Sequence, residues 1–98
     1  MGEAIPMSGL TISIQATPNP HAVKFTLNRR VAAQGATYRD AASADADWAR
    51  RLLEIPGVAQ VFAVNDFIAI TKGVDAAWDA IVPRAERVLR DVFANQGG

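Results

Sequence analysis

The sequence predicts a two-layer α/β sandwich of the α+β class, in which helices pack on one face of an antiparallel sheet. Three observations lead to this prediction. Two segments near the start alternate apolar and polar residues with the period of half-buried strands. Two short apolar runs later in the chain are separated by a tight-turn dipeptide. Two further segments repeat apolar residues with the helical period, which completes the order ββαββα.

The first predicted hairpin is built from two alternating segments, residues 10–15 and residues 23–27. Each has apolar side chains on one face and polar side chains on the other, so each is predicted to be a strand. The short connection between them favours antiparallel pairing. Residues 28–43 are predicted to form a loop, with residues 37–39 as a candidate for a short extra strand.

The first predicted helix covers residues 45–54, because its apolar residues share one helical face: Trp48, Ala49, Leu52 and Leu53. Ser43 or Asp45 is predicted to cap this helix, since their side-chain oxygens can accept hydrogen bonds from first-turn amides. The Pro-Gly pair at residues 56–57 is predicted to end it.

A second hairpin is predicted from strands 58–64 and 67–72, joined by the two-residue turn Asn65-Asp66. This turn places Val64 opposite Phe67, with the other members of that face following in register: Phe62 opposite Ala69, and Gln60 opposite Thr71. The other face then carries Ala59, Val61, Ala63, Ile68, Ile70 and Lys72.

Two interpretations of Phe62 and Phe67 are open. If both helices cover the face with the alanines and branched residues, the two phenylalanines lie on an uncovered face and form a binding surface. Alternatively, they are ordinary core residues under the helices or the 28–43 loop, which the usual burial of large apolar residues favours. The solvent exposure of the two side chains decides between these interpretations.

The last predicted helix covers residues 76–94, with Asp75 as its cap and one apolar stripe that continues on both sides of Pro83. We expect a kinked but continuous helix there. Residues 1–9 have neither a signal peptide pattern nor a strand pattern, and are predicted to be a flexible tail. Residues 10–95 are predicted to form a single domain.

Composition excludes several classes of function. With 98 residues, half of them apolar, the chain can build one core. Ten basic residues balance ten acidic ones, which gives no global charge for binding nucleic acid or an anionic membrane. No apolar stretch could span a bilayer, and a cytoplasmic location is expected. The absence of cysteine excludes disulfides, thiolate nucleophiles and Cys-ligated metal sites within this chain.

No catalytic constellation or metal site is predicted. His21 is the single histidine, and it has neither a cysteine nor a second histidine to share a metal with. The carboxylates of Asp40, Asp45 and Asp47 lack the spacing and the glycine of a calcium-binding loop. The chain is therefore expected not to be an enzyme.

The segment Thr17-Pro18-Asn19-Pro20 is a turn with two prolines that runs directly into the second strand. Proline fixes its own φ and restricts the residue before it, so this turn is stiff and presents Asn19 at a low entropic cost. Rigid presentation suits recognition by a partner. The alternative, to which the residues give equal weight, is that the prolines simply shape the connection between strands.

Several short motifs in order along the chain resemble the N-terminal domain of Nfu/NifU-type scaffold proteins. The likeness covers residues 12–72 and continues through Trp78-Asp79 and Pro83. Its motifs are Gln15, Thr17-Pro18-Asn19-Pro20, Lys24-Phe25, Gly35, Tyr38, Ala49, Leu52-Leu53, Ile55, Gly57-Val58, Val61-Phe62, Asp66-Phe67-Ile68 and Ile70-Thr71-Lys72.

The resemblance implies an iron-sulfur context. In longer members of that family, this domain precedes a second domain whose Cys-x-x-Cys pair holds a cluster for delivery to client proteins. This chain has no such pair, and it is similar to bacterial stand-alone versions. Together with Phe62 from the uncovered-face interpretation, the family's turn and hairpin positions suggest a partner-binding surface of Thr17, Pro18, Asn19, Pro20, Lys24, Phe25, Phe62, Asp66, Phe67 and Lys72.

The predicted function is a non-catalytic protein-interaction module for iron-sulfur cluster assembly or delivery. Its expected partner is a scaffold or client protein, with no nucleic acid, no membrane and no cofactor of its own. A cluster would be bound only through a partner. The alternative is a small-ligand or anion-binding domain that uses Lys24, Lys72 and loop amides. The oligomeric state is expected to be a monomer or a weak homodimer that pairs edge strands.

Overall fold

In the part of the chain that the structure describes, five strands form one antiparallel sheet, and two helices pack on one of its faces. A computed structural model describes residues 10–94, so the predicted tail at residues 1–9 and the end of the predicted domain at Asn95 lie outside the described residues. The elements are β1 Ile12–Ala16, β2 Ala22–Leu27, β3 Ala32–Tyr38, α1 Asp47–Leu53, β4 Val58–Asn65, β5 Phe67–Lys72 and α2 Trp78–Leu89. The predicted fold class is confirmed, with one more strand than expected.

The strands lie in the order β1-β2-β5-β4-β3, so the two predicted hairpins sit side by side through β2 and β5. The predicted register of the second hairpin is confirmed, because Val64 pairs with Phe67 in β5 across a two-residue turn. Asn65 has φ 57°, a left-handed conformation that asparagine tolerates better than most residues. Local turn chemistry therefore sets the register of the central strands.

Strand β3 corrects the prediction of a loop over residues 28–43, and the candidate extra strand at residues 37–39 is confirmed for residues 37–38 as the end of a longer strand. Ala36, Thr37 and Tyr38 pair with β4, after a register shift that follows Ala32. The segment contains a glycine and four alanine or glutamine positions, so it shows little intrinsic strand preference and no clear alternation. Pairing with the otherwise open edge of β4, a contact remote in sequence, stabilises it as a strand.

The core lies between the sheet and the helices. Val61, Ala63, Ile68 and Ile70 are fully buried, which confirms the face assigned to them. They pack with a cluster from the other elements that includes Phe25, Leu27, Leu52, Ile81, Ala85 and Leu89. Burying each large apolar side chain contributes about 1.5–3 kcal/mol.

Ala59 was expected on the same buried face, but it is exposed. The pairing of β4 with β5 shifts register between Val58 and Gln60, so Ala59 is the additional residue of a bulge. A bulge residue has no partner on the neighbouring strand, and the strict alternation of faces is interrupted there.

Helix α1 begins at Asp47, and neither of the predicted caps is used. Ala46 occupies the cap position without a side-chain hydrogen bond, while Ser43 belongs to a 3₁₀ turn at Ala41–Ser43. The Asp45 carboxylate instead accepts a hydrogen bond of 3.0 Å from the Tyr38 hydroxyl. Burial of the Tyr38 hydroxyl, together with its bond to Asp45 and that residue's charge, raises the pKa of Tyr38.

Helix α2 runs without interruption through Pro83 and continues as a π-helical segment at Arg90–Ala94. The predicted cap Asp75 is not used, because the helix starts after Ala77 with no side-chain cap. Gly57, after the end of α1, has φ 98° and lies against α2. A β-carbon at Gly57 would be 2.8 Å from the Ala76 Cβ, so this close approach requires glycine.

Candidate docking surface

We call the side of the sheet away from the helices the open face. Its strand positions form three rows, whose members are given by the register of the strands. The middle row contains Gln15, Lys24, Ala69, Phe62 and Thr37. The row nearer the β4-β5 turn contains Ser13, Thr26, Phe67 and Val64, and the row at the other end contains Ala22, Thr71 and Gln60. None of these residues is buried, and no helix of residues 10–94 covers them.

Phe62 and Phe67 form an aromatic pair on the open face. Their ring centroids are 6.1 Å apart with the ring planes at 51°, and both side chains are partly exposed. The interpretation that places them in the core is wrong, because their neighbours along the strands face the helices. Aromatic residues are enriched in protein–protein interfaces relative to the rest of the surface, so this pair is a candidate docking site.

Two cations lie beside this aromatic pair. The Lys24 Nζ is 4.6 Å from the centroid of the Phe67 ring, within the range of a cation-π contact. Arg39 directly follows β3, and its Nε donates a hydrogen bond of 2.9 Å to the Gln60 Oε1. Ala69 lies between the large side chains of Lys24 and Phe62, so the surface of the open face has a shallow depression at its centre.

The two-proline turn is stiff because its polar groups bond to one another. The Thr17 hydroxyl lies 2.9 Å from the carbonyl of Asn19 and 3.0 Å from that of Ala22, and accepts from the Asn19 amide. The Asn19 Oδ1 accepts a hydrogen bond of 2.9 Å from the His21 amide. Thr17 and Asn19 therefore stabilise the turn, so the presence of these two residue types is explained by the structure of the turn itself.

The turn is also tied to the rest of the domain. The Trp78 Nε1 at the start of α2 donates to the Pro20 carbonyl at 3.2 Å. The Lys72 amide donates to the His21 carbonyl at 2.8 Å. The Lys72 Nζ lies 6.0 Å from the centroid of the Trp78 ring. These contacts place the turn at the end of the sheet, beside the beginning of α2.

The structure divides the predicted partner-binding residues among several places. Lys24, Phe62 and Phe67 lie together on the open face. Phe25 is fully buried, so a partner cannot reach its side chain in this fold. Asp66 is at the tip of the β4-β5 hairpin. The others lie at the opposite end of the sheet: Thr17, Pro18, Asn19, Pro20 and Lys72.

The same geometry bears on the alternative of an anion site that uses two lysines. Lys24 points to the open face, whereas Lys72 lies on the helix side against Trp78. The sheet therefore separates the two ammonium groups. A surface depression of about 610 Å³ is lined by Asn28, Arg29, Arg30, Asn65 and Asp66, but it includes a carboxylate, and Arg29 already donates to the Phe93 carbonyl at 2.6 Å.

Arg39 and Gln60 belong to the open face, although no role was predicted for Arg39 from the sequence. It lay in the candidate strand at residues 37–39, for which no partner strand was predicted, so the direction of its side chain could not be derived. Pairing of Thr37 with Phe62 would have identified the face of Arg39, two residues further on. That pairing depends on contacts remote in sequence.

Fold and surface together define a small two-layer α+β domain with an uncovered, aromatic sheet face that carries cations. The chain belongs to the family described as "Scaffold protein Nfu/NifU N terminal", whose model matches residues 12–96. The resemblance seen in the sequence is thereby confirmed. This family is defined by a domain of a scaffold protein and is not an enzyme family.

Curated relatives come from plants and bacteria. The chain is 33% identical to NifU-like protein 5, mitochondrial, and 31% identical to NifU-like protein 4, mitochondrial, both from Arabidopsis thaliana, over 86% of its length. It is 28% identical to conserved virulence factor C of Staphylococcus aureus over 82% of its length. These matches cover 31%, 30% and 22% of the relatives, so the chain spans less than a third of each.

Two solved structures share the fold over most of their own length. The crystal structure of protein SAV1430 from Staphylococcus aureus has a TM-score of 0.72 and 34% identity, covering 80% of this chain and 96% of that one. The solution structure of SeR13 from Staphylococcus epidermidis has a TM-score of 0.58 and 34% identity, covering 81% and 93%. Both therefore match nearly the whole of a comparably small protein.

The residues of this chain do not fit an iron-sulfur cluster of its own. Such clusters are held mainly by cysteine thiolates, and the sequence contains no cysteine. Within residues 10–94, no three side chains of the ligating types come together as a metal site. In the same part of the chain, no helix is long and apolar enough to cross a membrane.

Proposed function

We propose that this chain is a non-catalytic protein-interaction module in iron-sulfur cluster assembly or delivery, which docks a scaffold or client protein through its open face. The observation that carries the proposal is the uncovered pair Phe62 and Phe67 beside Lys24, in a chain that has no cysteine. Family membership supplies the iron-sulfur context. The accessible aromatic rings supply a surface for a protein partner.

In this proposal the partner carries the cluster. The chain would act by holding a scaffold or client in place, with no cofactor and no chemical step of its own. We place this activity in the cytoplasm. Docking requires apolar anchors that a partner can reach, and partly exposed Phe62 and Phe67 meet this requirement.

The test is a titration of the ¹⁵N-labelled chain with a separately expressed Cys-x-x-Cys domain of an Nfu-type scaffold, with and without its cluster. We expect changes in amide chemical shift centred on β2, β4 and β5. Phe62→Ala and Phe67→Ala should each weaken binding at least tenfold, as truncation of a central aromatic anchor usually does.

Val74→Ala is the matched control, because Val74 is 78% exposed but lies outside the open face. It should bind like the unaltered chain. Spectra of all variants must retain the dispersion of a folded domain. The proposal fails if neither this scaffold nor client proteins shift the open-face amides, or if the two phenylalanine variants bind as tightly as the Val74 variant.

We further propose that the chain is a monomer or forms only a weak homodimer. Strand β1 is a sheet edge whose residues are mostly exposed, and Ile14 on it is 41% exposed. Such an edge can pair with a second copy, although five residues form a small interface. Sedimentation velocity over a range of concentrations tests this, and a stable dimer at low micromolar concentration would contradict it.

A further inference from the structure

We propose that the open face binds an acidic protein segment, in which an apolar side chain lies between carboxylates. This inference rests on the proposed docking function and specifies the chemistry of the partner. The first observation is the distribution of charge along the chain. None of the five strands contains Asp or Glu, whereas Lys24 lies in β2 and Arg39 follows β3 on the open face.

The second observation is that these two cations are not neutralised. Among residues 10–94, neither Lys24 nor Arg39 has a carboxylate within ion-pair distance. By contrast, two arginines of the helical layer have carboxylate partners: Arg51 pairs with Asp91 at 2.7 Å, and Arg90 with Glu86 at 3.1 Å. The ring of Phe67 and the amide of Gln60 position the two open-face cations without cancelling their charge.

The third observation is the spacing of the cations. Lys24 and Arg39 are separated by three steps between strands and by two residues along a strand. With strands about 4.8 Å apart and about 3.3 Å per residue, this corresponds to roughly 16 Å. Carboxylates four to six residues apart on an extended segment span that distance.

The surface between the cations suits an apolar anchor. Ala69 is surrounded by Phe62, Phe67 and Lys24, and because its side chain is only a methyl group, the surface has a shallow depression there. A large apolar side chain placed there would contact both rings, while flanking carboxylates would reach Lys24 and Arg39. An acidic segment with a central aromatic residue is therefore complementary in both shape and charge.

The probe is an acetylated and amidated peptide, Asp-Asp-Ser-Trp-Ser-Glu-Glu, titrated into the ¹⁵N-labelled chain at low salt. We expect saturable shifts of open-face amides that weaken as salt is added. Replacing every acidic residue of the peptide by Lys should abolish binding, and replacing its Trp by Ala should weaken binding about tenfold or more. A lysine peptide that binds equally well would overturn the inference.

Substitutions in the chain test the named cations. Lys24→Gln and Arg39→Gln should each lower the affinity of the chain for the acidic peptide about 3- to 5-fold, as expected for the loss of an exposed charge pair. Arg84→Gln is the control, because Arg84 is an exposed arginine of α2 without an ion pair in the described residues. Unchanged binding by both open-face variants would overturn the inference.

Two further outcomes separate this inference from the docking function. If the scaffold domain changes the amide chemical shifts of the open face, and its affinity is the same for the Lys24→Gln and Arg39→Gln variants, docking stands and the acidic partner is refuted. If no scaffold or client binds, docking fails, and the peptide titration still decides the charge preference. If the chain binds an oligothymidine of eight nucleotides more tightly than the peptide, a protein segment is rejected as the ligand.

Discussion

Replacing Phe67 by alanine is expected to weaken binding at the open face while costing little stability, whereas Phe25→Ala should cost considerably more stability. Phe25 is 0% exposed, and removing a phenylalanine from a core costs about 3–5 kcal/mol. That is a large share of the roughly 5–15 kcal/mol that stabilises a domain of this size. The contrast arises because the two residues lie on opposite faces of one sheet.

The smaller cost at Phe67 follows from its contacts. Its ring is only partly buried, so truncation forfeits part of the usual burial free energy. It also loses the cation-π contact with Lys24, about 0.5–1 kcal/mol at an exposed site, and the tilted pair with Phe62. We expect a total loss of about 1–2 kcal/mol, which leaves the domain folded.

Urea denaturation measures both costs, with the fluorescence of Trp48 and Trp78 reporting unfolding. Titration with the scaffold domain, performed on the folded Phe67→Ala variant, measures binding. If Phe67→Ala costs as much stability as Phe25→Ala, the ring is a core residue and something covers the open face in solution. The reasoning that assigns this face to a partner would then be refuted.

Gly57→Ala should cost about 1–3 kcal/mol, because of its φ of 98° and the approach of 2.8 Å to the Ala76 Cβ. Gly35→Ala, whose added β-carbon meets the Phe62 ring at 3.5 Å, should stay within about 0.5 kcal/mol, and equal costs in denaturation would contradict this. Pro83→Ala should raise the free energy of unfolding by up to about 3 kcal/mol, since Pro83 is exposed inside α2. Urea denaturation measures this, and a lower midpoint than that of the unaltered chain would contradict it. The raised pKa of Tyr38, caused by burial and by Asp45, means that folding favours the protonated hydroxyl. This stabilisation is present below about pH 10 and is lost as the pH rises through the folded pKa. Absorbance at 295 nm follows this single tyrosine, and Asp45→Asn should lower the titration midpoint; an unchanged midpoint would refute the assignment.

How much the sequence predicted depended on the range of the interactions involved. The turn at residues 65–66 and the pairing of Val64 with Phe67 were predicted correctly, because two adjacent residues determine the register. The predicted caps Ser43 and Asp75 were wrong. A side-chain oxygen near a helix start is only one candidate partner for the amides, and the position where each helix begins depends on packing against the sheet.

Strand β3 and the open face show the other limit. The segment from Ala32 to Tyr38 has weak strand preference, and it becomes a strand through pairing with β4. The position of Arg39 beside Gln60 follows from that pairing, so a candidate binding residue could not be assigned before β3 was known. Equally, strand alternation alone could not decide whether Phe62 or Val61 would meet the helices.

By itself, the sequence determined the fold class, the central hairpin, the absence of thiol ligands and the resemblance to the Nfu/NifU scaffold family. Each of these depends on residue types or on short-range periodicity. The tertiary structure alone decided which sheet face remains uncovered, that Phe25 is inaccessible, and that Lys24 and Lys72 lie on opposite sides. Helices can cover either side of an apolar sheet, so this choice is made by packing between segments distant in the chain.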